Sequence, residues 1–180
     1  MKVFVVFESM YGNTHEIANA IADGLAPAGD VTVGSVGELT AGSIEGAELV
    51  VVGGPTHIHG MSRRSSRAAA AKGAKDDDDL HLEPHADGPG LREWFEELPD
   101  ASAGALGLAF DTRIDKSALL VGSAAKAISK RLRRRHYASL ADPESFFMDE
   151  SGSTLKEGET DRARRWGAEL ARRLDAERGA

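Results

Sequence analysis

The stretch Val3-Phe4-Val5-Val6-Phe7-Glu8-Ser9-Met10-Tyr11-Gly12-Asn13-Thr14 decides the fold. Its first five residues are β-branched or aromatic with no polar alternation, the pattern of a parallel strand covered on both faces. From Thr14 onward Ile17, Ala18, Ile21, Ala22 and Leu25 fall on one helical face, and Gly24, Pro27 and Gly29 punctuate its end. A buried strand that passes through a short polar loop straight into a helix opens a β–α–β unit.

Outward from this unit the same rhythm recurs. Val31-Thr32-Val33 alternates weakly and predicts an outer strand, while Leu49-Val50-Val51-Val52 repeats the fully buried pattern, with Gly53-Gly54-Pro55 expected to stop it. Leu91, Trp94, Phe95 and Leu98 predict a short helix, and Ala105 to Phe110 a strand. Val121, Ala125, Ile128 and Leu132 mark a helix, Phe146-Phe147-Met148 a last strand, and Ala163, Trp166, Leu170 and Leu174 a terminal helix. Five strands separated by helices predict an α/β fold, a parallel sheet with helices on both faces. No internal repeat is evident. Between Ala68–Ala71 and Leu91 apolar periodicity is lost and Asp76-Asp77-Asp78-Asp79 intervenes, so a single domain over 1–180 is expected to carry an acidic loop insertion at about 73–90.

Composition narrows the function. The chain has 180 residues, 29 acidic and 22 basic, for a net charge of −7. That length buries a sufficient core without a staple. The absence of cysteine excludes a disulfide scaffold, thiolate-ligated metal clusters and a catalytic cysteine. Runs such as Val3–Phe7 are far shorter than the roughly 20 residues of a membrane span, so no membrane partner is expected. The N-terminus enters a strand with no export signal, which predicts a cytoplasmic protein. The acidic balance argues against a nucleic-acid partner.

Open parallel sheets bind ligands beyond the carboxyl ends of their strands, which directs attention to the loops there. The first, Ser9 to Thr14, offers hydroxyls at Ser9, Tyr11 and Thr14, a flexible Gly12 and backbone N–H groups at a helix N-terminus, suited to a phosphate monoester. It holds no lysine or arginine, and neither a Walker loop nor a Gly-x-Gly-x-x-Gly occurs in the chain. The second runs through Pro55, Thr56, His57, Ile58, His59 and Gly60; its two histidines lack a nearby third ligand, so no metal is expected. His81, Glu83, His85 and Asp87 alternate in the long loop and share one face if that segment is extended, where a metal binding adventitiously is conceivable. The third loop is expected to begin at Phe110, with Asp111, Thr112 and Arg113.

Ser9-Met10-Tyr11-Gly12-Asn13-Thr14 resembles the phosphate signature of the flavodoxins, Ser/Thr-x-Thr-Gly-Asn-Thr, which holds the 5′-phosphate of FMN. The second loop resembles the family's loop against the isoalloxazine ring: Pro55 and Thr56 match, and His57 or His59 stands where an aromatic clamp is common. The third loop departs from the family. The acidic residue followed by a stacking tyrosine is missing, and no aromatic lies between Phe110 and Tyr137, which counts against a ring sandwiched on both faces. The resemblance covers nearly the whole chain, and residues 155–159 look like flavodoxin-like proteins of actinobacterial type.

The resemblance implies a three-layer α/β/α sandwich whose five parallel strands run in the order 2-1-3-4-5, with FMN as cofactor. It places Ser9, Met10, Tyr11, Gly12, Asn13 and Thr14 at the phosphate, Pro55, Thr56, His57, Ile58, His59 and Gly60 beside the ring, and Asp111, Thr112 and Arg113 at its edge. Arg113 either meets the pyrimidine edge or pairs with Asp111 or Asp115. No catalytic side chain is required, because flavin carries the redox step. Electron transfer through FMN is the implied function, with a redox protein or NAD(P)H as partner. An NAD(P)H-dependent reductase of quinones or similar molecules, and a cofactor-free interaction module, are the alternatives. A receiver domain is not expected: strand one ends in Phe7-Glu8-Ser9 and strand three in Gly53-Gly54-Pro55, and no lysine follows Met148 until Lys156. The cluster Lys126, Lys130, Arg131, Arg133, Arg134 and Arg135 reads as a solvated helix face, or else as a dock for an acidic partner, whereas flavodoxins dock through acidic surfaces.

Overall fold

The computed structural model describes residues 1–57, 60–76, 81–149 and 151–179. In chain order the elements are β1 (Lys2–Phe7), α1 (Asn13–Leu25), β2 (Asp30–Ser35), β3 (Leu49–His57), β4 (Gly60–Met61), α2 (Arg64–Asp76), α3 (Leu91–Glu97), β5 (Leu106–Ile114), α4 (Ala118–Val121), α5 (Ala124–Arg134), β6 (Glu144–Met148) and α6 (Glu159–Arg178). The sheet runs β2-β1-β3-β5-β6, all parallel, and two-residue β4 turns back antiparallel onto the end of β3. Counted without β4, this is the expected order 2-1-3-4-5.

Side-chain alternation along β1 builds both core layers. Val3, Val5 and Phe7 join Ile17, Ile21, Leu25, Leu170 and Leu174 under α1 and α6. Phe4 and Val6 join Trp94, Phe95, Ile128 and Leu132 under α3 and α5. Both faces of the central strands are covered, which is why they read as unbroken apolar runs. Among the described residues no helix is long and apolar enough to cross a membrane.

Three boundaries differ from the sequence reading, each for a physical reason. Gly53-Gly54-Pro55 does not stop β3, which continues to His57. Glu8 N–H donates to the Gly53 carbonyl at 2.9 Å, so Pro55, two residues on, turns its missing N–H to the side where β1 has ended. Pairing with β5 persists there, Gly54 opposite Asp111 and Pro55 opposite Thr112. Likewise β5 does not end at Phe110 but runs to Ile114, held by β6 from Phe110↔Glu144 to Ile114↔Met148. Asp111, Thr112 and Arg113 are therefore strand residues. The alanine-rich stretch after Arg64 is helical to Asp76, so the start expected for the acidic loop lies within α2, while residues 77–80 lie outside the described residues.

Helices α1 and α6 touch through two glycines. A Cβ on Gly24 would lie 2.2 Å from the Arg164 carbonyl oxygen, and one on Gly167 2.3 Å from that of Ile21. Alanine at either position gains helix propensity but forces two backbones apart, so Gly24→Ala or Gly167→Ala is expected to lower stability by about 1–3 kcal/mol in urea unfolding. Gly73→Ala in α2, where the nearest atom is the Tyr11 hydroxyl at 3.7 Å, is expected to raise it by up to about 1 kcal/mol. A stabilising effect at Gly24 and Gly167 contradicts the close approach.

Candidate functional site

The cleft lies beyond the carboxyl ends of β1, β3 and β5, at the point where the chain order reverses between β1 and β3. It encloses about 260 Å³ and has four walls: Ser9, Met10, Tyr11, Asn13 and Thr14; Pro55, Thr56 and His57; Thr112, Arg113 and Ile114; and Met148, Ser151 and Gly152.

The first wall is the turn from β1 into α1. Gly12 caps the helix at φ +93°, a left-handed conformation that glycine takes without strain, and among the described residues no side chain caps α1. The Ser9 hydroxyl accepts the Gly12 N–H at 3.1 Å, and Glu16 N–H closes the first helical bond onto the Gly12 carbonyl at 2.9 Å. Among the described residues no side chain takes the first-turn N–H groups that an anion would meet at this helix end, while the Glu83 carboxylate lies 3.2 Å from where a Gly12 Cβ would stand and Glu16 stands in the first turn. The Thr14 and Thr112 hydroxyls lie 2.8 Å apart, both buried, and join this wall to β5. Asn13 donates from its amide to the Ser153 carbonyl at 2.8 Å, fastening the β6–α6 connection over the turn. The Tyr11 hydroxyl donates to the Ala70 carbonyl of α2 at 2.9 Å, so its ring, not its hydroxyl, serves the cleft.

A buried carboxylate fixes the second and third walls. Asp111 Oδ2 accepts the hydroxyls of Thr56 (2.9 Å) and Ser123 (2.7 Å) and the Ala125 N–H (2.9 Å), while Thr56 Oγ1 accepts the Ala124 N–H at 2.8 Å. Together these residues cap α5 from within. Asp111 is fully buried and absent from the cleft lining, so it acts behind the wall rather than at a ring edge. Thr112 and Arg113 do reach the cleft. Arg113 spreads over the Phe147 ring at 4.9 Å, donates to the Ser145 hydroxyl at 3.1 Å and to the Lys116 carbonyl, and lies 4.0 Å from Asp111. Asp115 pairs instead with Lys156 at 2.6 Å.

Of the second-loop residues, Pro55, Thr56 and His57 line the cleft, Gly60 belongs to β4, and Ile58 and His59 lie outside the described residues. His57 is half-buried and its Nε2 is sealed from solvent with no partner among the described residues. Burial pushes its pKa below the ordinary 6.5, partly offset by the charge of Glu8.

Sequence reasoning missed the fourth wall and the polar support behind the first. Glu8 is buried at the end of β1, accepting the Ser62 hydroxyl and, at 2.8 Å, the Leu91 N–H. Ser62 in turn accepts from buried Arg67 at 3.2 Å, and Arg67 meets Glu93 at 3.1 Å. The sole sequence signal was an acidic residue ending an apolar strand. The segment from His81 packs on the turn: Glu83 N–H donates to the Met10 carbonyl at 2.8 Å, and its carboxylate meets the His15 ring at 3.0 Å. Among the described residues no three acidic or histidine side chains converge as a metal site.

The direction of the His57 shift fixes a pH dependence. The unfolded chain takes up its proton near 6.5 while the folded ring resists, so the stability this creates is complete above that value and lost as pH falls toward the folded pKa. His57→Gln is expected to flatten the loss of stability as pH falls below about 6.5 in urea unfolding. An unchanged slope contradicts the buried neutral ring.

The geometry agrees with comparisons to known proteins. The flavodoxin family matches residues 5–101. Among solved structures, the chain is similar to a flavodoxin from the domain Archaea (19% identity, 97% of this chain and 99% of that one, TM-score 0.62). It is also similar to a Streptococcus pneumoniae flavodoxin (19%, 98% and 99%, TM-score 0.60) and to a flavodiiron core from Synechocystis (18%, 98% and 36%, TM-score 0.63). No curated protein matches the sequence. With more than half its length matched, the chain belongs to the flavodoxin family, whose members bind flavin and transfer electrons.

Proposed function

We propose that this protein binds FMN in the cleft between β1, β3, β5 and β6 and serves as an electron carrier. The observation that carries this reading is the α1 N-terminus, capped by left-handed Gly12 and by no side chain, with the Ser9 and Thr14 hydroxyls beside it. Those donors fit a phosphate monoester, and the absence of lysine and arginine from the turn leaves recognition to amides, hydroxyls and the helix dipole.

Bound flavin supplies the redox chemistry, and the chain's residues orient and shield it. Tyr11, Pro55, His57, Ile114 and Met148 offer mostly apolar surface for a ring, with Arg113 as the cation at the cleft. A neutral His57 adds no positive charge beside a reduced flavin, so Arg113 alone among these residues favours its anionic form. The family's electron-transfer role supports a carrier, which the response to NADPH separates from an NAD(P)H-dependent reductase. Its partner is then a redox protein, met in the cytoplasm.

The test is gel filtration of the purified chain after mixing with FMN, followed by anaerobic addition of NADPH. The proposal expects FMN to co-elute and to stay oxidised with NADPH alone while dithionite bleaches it. Rapid bleaching by NADPH transfers the protein to the reductases; loss of FMN on the column overturns the flavin reading and leaves an interaction module.

A further inference from the structure

The exposed face of α5 carries an excess of positive charge that the fold does not use. The helix Ala-Ala-Lys-Ala-Ile-Ser-Lys-Arg-Leu-Arg-Arg holds five cations and no acid. Against a chain total of −7, setting those five aside leaves −12 on the remainder. Lys126, Lys130, Arg133 and Arg134 are exposed, and Lys126, Lys130 and Arg134 stand four residues apart on one face. Among the described residues none of these four has a carboxylate within ion-pair distance. Helix α6 is the contrast: Arg162, Arg164, Arg172 and Arg173 each pair with an acid of their own helix three or four residues away.

Neither usual explanation covers the stripe. The helix dipole favours cations in the last turn, where Arg131, Arg133 and Arg134 stand, but opposes one in the first, where Lys126 stands. Crowding adds a cost: Arg131, seated over the Phe95 ring, feels Arg92 and Arg134 as like charges, with Glu96 as the acid facing it. The stripe also starts at the cleft. The first turn of α5 is bonded to Thr56 and Asp111, neighbours of cleft-lining Pro55 and Thr112, and the preceding α4 presents Leu120 with 71% of its surface exposed.

Resting on the flavin reading, we propose that the α4–α5 face is the docking surface for an acidic redox protein, with Leu120 as its apolar contact and Lys126, Lys130, Arg133 and Arg134 as its charged rim. An apolar contact next to a charged stripe has the anatomy of a transient interface, where charge sets the encounter rate and its salt dependence. An acidic protein fits better than nucleic acid because the cations of a single helix face match an acidic patch of similar size, whereas a polyphosphate backbone is held by a broader basic surface than one helix supplies.

The test compares the wild type with Lys126→Gln/Lys130→Gln/Arg134→Gln, which keeps helix formers at exposed positions. In the first arm the FMN-loaded protein, reduced by dithionite, is oxidised in stopped flow by Fe(III)-EDTA, each complex taking one electron, between about 0.01 M and about 0.3 M salt. The proposal expects the rate to fall at least about threefold with salt in the wild type and to lose that fall in the triple variant. A rate that rises with salt in the wild type, as −7 alone dictates, overturns it. The second arm needs no flavin, so its failure is separable from that of the FMN reading. Anisotropy of a labelled glutamate oligopeptide on the FMN-free chain is expected to show affinity about tenfold weaker in the variant. Equal affinity overturns the proposal, as does tighter binding of a DNA duplex than of the peptide.

Discussion

One buried carboxylate ties the cleft together. Asp111 sits on β5, accepts the Thr56 hydroxyl from β3, and receives Ser123 and Ala125 from the start of α5. A charge withdrawn from water in this way needs several donors, and the N-terminus of a helix supplies them with the favourable end of its dipole. Three elements are thereby locked at one point directly behind the cleft. The second wall is fixed through Thr56 and the third through the neighbours Thr112 and Arg113. Thr112 then meets Thr14 at 2.8 Å, which carries the same constraint to the first wall.

The polar network under α2 does comparable work on the other side. Glu8, Ser62 and Arg67 are buried together, and Gly90 passes so close that a Cβ there would lie 2.3 Å from the Arg67 guanidinium and 2.7 Å from the Glu8 carboxylate. This group anchors α2 and the start of α3 to the end of β1, the strand that leads into the Ser9–Thr14 turn. Ser62 bridges the two buried charges, accepting from Arg67 and donating to Glu8. The position of the turn is thus set from behind by Glu8 and from the side by Asp111, and among the described residues no side chain caps the first-turn N–H groups of α1.

The fold was legible where one periodicity governed a whole element. Val3–Phe7, Ile17–Leu25 and Leu49–Val52 announced strand, helix and strand because both faces of the strands and one face of the helix are buried. The Gly12-Asn13-Thr14 turn was legible from its chemistry. What escaped reading depended on distant partners. Polar Asp111 looks like the end of a strand, yet β5 continues because β6 pairs with it and α5 caps the charge. Gly53-Gly54-Pro55 looks like a stop, yet Gly53 is small because the Phe110 ring fills the space of its Cβ, and Pro55 faces an edge that β1 no longer occupies. Met148, Ser151 and Gly152 enter the cleft from a connection held by Asn13, a contact across 140 residues that no local pattern encodes.

The central claim is that a turn without cations holds a phosphate monoester through amides, hydroxyls and a helix dipole. Its most direct test is equilibrium titration by flavin fluorescence quenching with FMN and with riboflavin, which lacks the phosphate, for the wild type and for Ser9→Ala/Thr14→Val. The account predicts that the wild type binds FMN at least about tenfold more tightly than riboflavin and that the double variant loses most of this preference while its riboflavin affinity changes little. Equal affinity of the wild type for the two ligands, or an equal loss for both in the variant, contradicts it.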